Sequence, residues 1–489
     1  MHQRTRLALA TAVAATLTGG LLTFTAGPAA AAPAGPAPAA PLAASDVDFN
    51  ADGYADVAVS SSAATVAGHK AAGQVVIVYG GSPVAGQIAI SQNTRGVPGS
   101  AEKEDRFGGD LAYGDFDNDG YDDLAVGALG EDLGSDKDGG TVIILWGSAS
   151  GLKGGSTVAD PRPTKHDGFG RSLEAADFNG DGKVDLAIGS RDSATVDVLR
   201  GGFNRAAKPA GRYTVTPAIY DGGGNGVINL HSGDANGDGR EDLIVNGYAE
   251  PDGYNANYWL PGSARGVTTS GAQKLPAGVI TDVGDTDHDG IQDVVLGIQW
   301  DSGIPGAALG GRVLIAKGTR SGPAHGQRQS FTQNTNGIPG GSEKQDAFGL
   351  EVDLGDVNGD KRLDLVVGAP GEDLSGGKDQ GTITVLYGAA GGSGISAAGA
   401  RTFSQNTAGV PNHDETGDAF GGDVHVDDLN ADGRGDVLVG APGEDGGNGA
   451  VFALRSHANR TLTAPAGIYV TSVGISTAGS PHLGNNFAD

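Results

Sequence analysis

Seven acidic nonapeptides, the aliphatic run that follows each of them, and the lack of any long amphipathic helical period predict an all-β chain folded as a seven-bladed β-propeller. Each nonapeptide places oxygen side chains at positions 1, 3, 5 and 9. They are Asp48, Asn50, Asp52 and Asp56; Asp115, Asp117, Asp119 and Asp123; Asp177, Asn179, Asp181 and Asp185; Asp234, Asn236, Asp238 and Asp242; Asp285, Asp287, Asp289 and Asp293; Asp356, Asn358, Asp360 and Asp364; and Asp428, Asn430, Asp432 and Asp436. Their starts lie 67, 62, 57, 51, 71 and 72 residues apart. Asp, Asn and Gly are ordinary turn residues, but chance does not space seven such groups so evenly.

The chemistry of these loops points to calcium. Carboxylates crowded into nine residues repel one another unless a hard cation sits among them, and calcium accepts six to eight oxygens at about 2.3–2.6 Å in flexible geometry. Position 7 adds a backbone carbonyl, Tyr121 in the second loop. Up to seven Ca2+ ions are expected. Loops 2 and 5 carry four carboxylates and the others three plus Asn, so extra charge is expected to tighten binding at Asp117 and Asp287. Position 6 is Gly except in loop 6. Lys361 stands there, and a left-handed non-Gly residue costs roughly 1 kcal/mol, which marks that loop as one of the weaker sites.

An EF-hand is the rival reading, and position 12 rejects it. An EF-hand needs a bidentate Glu there and flanking helices. Here position 12 is Val59, Val126, Ile188, Val245, Leu296, Val367 or Val439, each inside a short β-rich run. Each loop therefore feeds a buried strand. A Gly-rich turn follows, then a second apolar run ending in Gly, as in Val75–Gly80, Val142–Gly147 and Ile383–Gly388. Four such strands and their turns fill about 60 residues, one propeller blade.

Phe107-Gly108, Phe169-Gly170, Phe348-Gly349 and Phe420-Gly421 precede acidic loops, and Gly368-Ala369-Pro370 and Gly440-Ala441-Pro442 follow the next strands, with Gly127-Ala128-Leu129 a near match. This grammar resembles the FG-GAP repeat of the integrin α-subunit head, in its bacterial secreted form. The resemblance covers about residues 46–489. It implies seven blades with calcium in the loops between the first two strands. Repeats 4 and 5 lack Phe-Gly, and repeats 1, 3, 4 and 5 lack Gly-Ala-Pro. Repeat 1 starts at Asp48 with no Phe-Gly before it, while Gly467–Asp489 extends past the last loop and ends at Asn486-Phe487-Ala488-Asp489, where a Phe-Gly would stand. The C-terminal segment is therefore expected to pair with the N-terminal blade and close the ring.

Residues 1–32 read as a signal peptide: Arg4 and Arg6, an apolar stretch from Leu7 to about Phe24, and small residues near Ala29–Ala32. Residues 33–45 form an Ala/Pro-rich linker, and 46–489 the propeller. The expected location is extracellular, with no membrane span. Formal net charge is −27, which argues against nucleic acid and anionic membranes as partners. No cysteine exists for disulfide or thiol chemistry.

Three stretches recur beyond what a metal loop needs: Ser91–Pro98, Thr332–Pro339 and Ser404–Pro411, each containing Gln-Asn-Thr. They read as outer strands with long connections whose Asn and Thr pair backbone groups, or as equivalent polar pockets for a glycan. Glu131-Asp132, Glu372-Asp373 and Glu444-Asp445 could serve glycosidase-like acid–base work, but neighbouring turn residues point apart and a structural or secondary cation role fits better. Arg434-Gly435-Asp436 spells an adhesive tripeptide, yet its Asp is a position 9 ligand and should face inward. His166, His231, His288 and His425 show no zinc spacing. No catalytic constellation emerges, and the residues outside the repeats leave no length for the phospholipase domain that accompanies FG-GAP blades elsewhere. The expectation is a monomeric, non-enzymatic binding and adhesion module for an extracellular protein or glycan. The alternative is a hydrolase or lyase, or the accessory propeller of a polysaccharide- or lipid-acting enzyme.

Overall fold

The computed structural model describes residues 47–81, 86–249, 253–326 and 328–488, all within the unit Ala40–Asp489. The expected signal peptide, 1–32, and linker, 33–45, lie outside the described residues. Seven antiparallel sheets follow one another along the chain. Blade 2 is typical: Phe107–Gly114, Asp123–Ala128, Thr141–Trp146 and Lys153–Val158 pair in chain order. Blade 3 runs from Asp167–Ala176 to Gly211–Val215, blade 4 from Asn229–Gly233 to Gln273–Lys274, and blade 5 from Ile280–Gly284 to Arg328–Phe331. Blade 6 runs from Val352–Gly355 to Ile395–Phe403 and blade 7 from Asp423–Asp427 to Leu462–Thr463. First strands of successive blades lie side by side, which places them around the ring axis and the fourth strands at its rim.

The burial pattern explains the sequence pattern. Second and third strands such as Asp123–Ala128 and Thr141–Trp146 are buried at every residue, because each sheet is covered by a neighbouring blade on both faces. Their sequences are therefore continuous apolar runs rather than alternating ones. The rim strand Lys153–Val158 is largely open and holds only Val158 inside. Apolar clusters fill the seven interfaces between neighbouring blades. One of them joins Leu438 and Val451 of blade 7 to Val57, Val59 and Val76 of blade 1. The ring is thus continuous.

The Phe-Gly and Gly-Ala-Pro motifs interlock across these interfaces. The Phe-Gly glycines Gly108, Gly170, Gly349 and Gly421 share φ of 85–87°, a left-handed value that favours glycine. Within a blade, Gly421 N–H donates to Gly440 O at 2.9 Å. Between blades, a Cβ on Gly127 would collide with the carbonyl of Gly170, and one on Gly368 with the carbonyl of Gly421. In blade 1 the corresponding residue is Ser60, whose hydroxyl donates to Gly108 O at 2.6 Å. The motif is a backbone-on-backbone contact between blades, and only a missing side chain permits it.

Blade 1 contributes three strands of its own, Val57–Ser61, Gln74–Tyr79 and Gly86–Ile90. Its inner edge meets the C-terminal segment: Val59 pairs with Phe487, Ser60 N–H donates to Asn486 O at 2.7 Å, and Ala488 N–H to Ala58 O at 3.0 Å. One expectation needs correcting here. The place of Phe-Gly is taken by Leu483-Gly484, not by the terminal Asn486–Asp489. Gly484 has φ 84°, its carbonyl blocks a Cβ on Gly440, and Leu483 is fully buried. Phe487 lies four residues further along the same strand path, buried in the cluster between blades 7 and 1. Leucine fills the phenylalanine site because burial and a following glycine are what that position requires.

Removing residues 467–489 should therefore lower the melting temperature of the whole ring by many degrees, read by circular dichroism. A truncated chain that melts with the full-length protein would contradict this role of the C-terminal segment.

Candidate functional site

Nonapeptides 2 to 7 each join the end of a first strand to the start of a second, and the first leads into Val57–Ser61, the equivalent strand of blade 1, so all seven lie on one face of the ring. The position 1 carboxylate builds the loop. Asp115 accepts the N–H groups of Asp119 and Gly120 at 3.0 and 2.9 Å, and Asp48, Asp177, Asp234, Asp285, Asp356 and Asp428 do the same one loop each. Position 5 caps the turn, as Asp52, Asp119, Asp181, Asp238, Asp289 and Asp360 accept the N–H of position 7. Position 6 is left-handed throughout, Lys361 included at φ 64°. Position 4 is left-handed as well, which the sequence reading missed: Ala51, Asn118, His288 and Ala431 stand there, with Gly180, Gly237 and Gly359 in the other loops. His288 is exposed.

The position 9 aspartate ties the loop to the sheet. Asp56 accepts the N–H of Gly80, Asp123 of Gly147, Asp185 of Gly201, Asp242 of Gly262, Asp293 of Gly318, Asp364 of Gly388 and Asp436 of Ser456, all at 2.7–2.9 Å. These donors stand where the third strand ends. A Cβ on any of the six glycines would strike the position 8 carbonyl, which is why that strand ends in Gly. Asp436 is buried, so Arg434-Gly435-Asp436 is turned inward. The position 12 residues are all fully buried.

Position 3 converges on position 9. In the five loops with Asn, the amide Nδ2 of Asn50, Asn179, Asn236, Asn358 and Asn430 donates to the position 9 carboxylate. In loops 2 and 5 the aspartates gather instead: Asp115, Asp117 and Asp123 bring oxygens within 4.8 Å of one another, as do Asp285, Asp287 and Asp289. One oxygen each of Asp117 and Asp287 is buried with no hydrogen-bond partner. A hard-oxygen donor set with orphaned oxygens fits a divalent cation. Bound there, calcium would supply charge neutralisation and a rigid loop, held by positions 1, 3, 5 and 9.

The expected tightening at loops 2 and 5 meets a counter-charge. Arg205, from blade 3, reaches across to ion-pair Asp117 and Asp119, and its guanidinium stacks over Trp146 at 5.0 Å. Lys317 does the same for Asp287 and Asp289 in its own blade. The two loops with an additional carboxylate are the two whose position 3 receives a basic side chain.

Burial raises every position 9 carboxyl above its ordinary 3.8, and neighbouring loop carboxylates add to the effect. Asp123 is pushed up to about 8, Asp56, Asp242 and Asp364 to about 7, and Asp185, Asp293 and Asp436 to about 6. Neighbouring loops are also bonded together. Asp122 N–H donates to Asp48 O at 3.2 Å, and Gly435 N–H to Asp356 O at 2.9 Å.

Two groups of polar residues escaped sequence reasoning. First strands carry carboxylates that accept N–H groups from the next blade near the axis: Asp110 from Leu173 at 2.8 Å, Asp353 from Val426 at 2.7 Å, and Asp423 from Phe487 at 2.6 Å. Burial pushes Asp110 up to about 7 and His231 down to about 4. Burial alone would lower His425, but Asp353 and Asp427 beside it hold it well above its ordinary value. Asp110, Glu174, His231 and Asn486 line a cavity of about 30 Å3, room for a water. The recurrence of a polar residue three places after the Phe of Phe-Gly, as in Asp110, Ser172 and Asp423, was the available signal.

The second group is the glutamines of the Gln-Asn-Thr stretches: the sequence singles out the stretches but not what each Gln meets. Gln92, Gln333 and Gln405 are buried, and each donates its Nε2 to the Glu of the next Glu-Asp pair, Glu131, Glu372 and Glu444. Thr94, Thr335 and Thr407 accept the N–H three residues earlier. The paired acids do point apart, since Asp132 accepts Asp138 N–H on its own hairpin while Glu131 faces Gln92.

Among known proteins, the FG-GAP repeat family matches residues 42–78, 348–386 and 420–454, and the FG-GAP-like repeat matches 115–188 and 177–245. A phosphatidylinositol-glycan-specific phospholipase D of Bos taurus is 26% identical over 82% of this chain and 43% of its own length. The Mus musculus protein of the same name is 34% identical over 29% of this chain and 17% of its own. Integrin alpha pat-2 of Caenorhabditis briggsae is 29% identical over 47% of this chain and 21% of its own. The chain thus spans less than half the length of these relatives. No helix among the described residues is long and apolar enough to cross a membrane.

Two outcomes are expected from the loops. Without metal, the position 9 carboxyls hold protons to higher pH folded than unfolded, so the folded state binds more protons between about pH 4 and 8 and stability falls as pH rises through that window. Melting in excess EDTA should drop from pH 5 to pH 8, and calcium, not magnesium alone, should restore it with its largest gain at pH 8. Unchanged melting in chelator at pH 8 would contradict the metal reading. Separately, Arg205→Gln should tighten calcium at loop 2 by about fivefold in titration calorimetry, matching the ~1 kcal/mol upper range of an exposed ion pair. Weakened binding would show that Arg205 shapes the loop rather than competing with the ion.

Proposed function

The chain is an FG-GAP repeat propeller, and from that premise we propose that it acts outside the cell as a calcium-stabilised, non-catalytic binding and adhesion module. Calcium, bound at up to seven loops, neutralises the acidic face and locks each hairpin, and the ring then presents its connecting loops to a partner. The observation that carries the reading is the bond from loop to sheet in all seven blades, joined by backbone bonds between four pairs of neighbouring loops, which makes a rigid display disc out of short loops.

A protein partner is favoured over a glycan. The Gln-Asn-Thr stretches, the main sequence feature suited to sugar, spend their Gln and Thr groups inside the molecule. The similarity to integrin alpha pat-2 supports the same choice. A second reading, an accessory propeller for a lipid-acting enzyme, is favoured by the match to the bovine phospholipase D across most of this chain.

The purified protein should be screened by interferometry against a panel of extracellular-matrix proteins and a glycan array, with calcium and with excess EGTA. Saturable protein binding that EGTA abolishes and calcium restores is expected. Binding confined to glycans would convert the reading to a lectin, and turnover of a polysaccharide or of a phosphatidylinositol-glycan would overturn it.

A further inference from the structure

We propose that the chain holds a second kind of divalent-cation site, on the face of the ring opposite the nonapeptides, built at the junction of blades 6 and 7 from Glu415, Asp418, Glu444 and Gln405. Glu415 and Asp418 lie in the connection just before Phe420, and Glu444 follows the second strand of blade 7, Asp436–Ala441. That strand starts at its nonapeptide, so its far end is the other face.

Glu415, Asp418 and Glu444 each offer a carboxylate oxygen, and the three oxygens lie within 4.8 Å of one another. Asp418 and Glu444 are both 2% exposed. No basic side chain pairs with any of the three among the described residues. Buried like charges without a counter-ion are costly.

The independent observation is Gln405. It is 1% exposed, and its Nε2 donates to Glu444 Oε2 at 2.6 Å, which brings the amide to the carboxylates. Its Oε1, on the same carbon, is buried and has no partner. Asn412 Nδ2 holds the other Glu444 oxygen at 2.7 Å, and Asp418 accepts the N–H of Glu415 at 2.7 Å. Three carboxylates and one neutral amide oxygen, with no imidazole or sulfur, suit calcium rather than zinc.

The arrangement repeats. Glu343, Asp346, Glu372 and Gln333 stand at the junction of blades 5 and 6, and Glu102, Asp105, Glu131 and Gln92 at that of blades 1 and 2. In both, the Gln Oε1 is again buried without a partner. The residue set, the Gln–Glu bond and the unpartnered Gln oxygen recur at three junctions, and at that of blades 6 and 7 the three carboxylates also converge within 4.8 Å.

The test uses the full chain and calcium alone as probe. Bound calcium is counted by equilibrium dialysis at millimolar free ion, and melting is followed with calcium and with EDTA, for wild type, Glu444→Gln, Glu415→Gln and Asp428→Asn. Each of the first two variants should bind one calcium fewer than wild type and gain less in melting temperature when calcium is added. Asp428→Asn reports the blade 7 nonapeptide separately, so loss there with Glu415→Gln unchanged would retain the loop reading and defeat this one. Glu415 is exposed, and its variant decides the matter if Glu444→Gln fails to fold. An unchanged calcium count and an unchanged calcium-dependent gain in Glu415→Gln would overturn the proposal.

Discussion

A carboxylate buried at the root of each acidic loop governs this structure. The position 9 aspartate sits at the start of a strand that is apolar on both faces, and in every blade it accepts the N–H at the end of the neighbouring strand. Burial there is unfavourable for a charge unless something compensates it. The backbone bond compensates part, and the convergence of positions 1, 3 and 5 leaves oxygens for a cation to take up the rest. The glycine that ends the third strand follows from the same contact, since a side chain would block the approach of the loop carbonyl.

The second constraint acts between blades. A propeller sheet cannot bury its faces alone, so each interface must be specified. Three devices do so here: an apolar cluster in every interface, interlocked Phe-Gly and Gly-Ala-Pro backbones, and first-strand carboxylates bonded to the next blade near the axis. The last of these puts ionisable groups deep in the ring, where Asp353 and Asp427 bracket His425. Closure uses the same devices, with Leu483-Gly484 in the Phe-Gly place and Phe487 bonded to Asp423.

The two faces of the ring are therefore chemically different. One carries the nonapeptides, four neighbouring pairs of which are joined by backbone bonds. The other carries the long connections, whose Thr hydroxyls hold their own shape and whose Gln amide nitrogens meet the Glu of the next blade. Charge is managed locally throughout. Where a loop gains an aspartate at position 3, a basic side chain arrives to meet it, from the adjacent blade in the case of Arg205 and from the same blade in the case of Lys317.

The sequence by itself determined the repeat, the all-β class, the number of blades and the loop residues. Those features are local: nine consecutive residues make the loop, and a continuous apolar run makes the buried strand. What lies between blades only the tertiary structure decided. Arg205 is far in sequence from Asp117, Gln405 from Glu444, and Asp423 from Phe487, and nothing in local periodicity brings such pairs together. The Phe-Gly equivalent at the C-terminus was misplaced for the same reason. Its signature is a left-handed glycine packed against another blade's backbone, and a leucine serves there as well as a phenylalanine. Local chemistry is written in spacing, whereas the pairing of distant charges depends on how seven sheets turn around one axis.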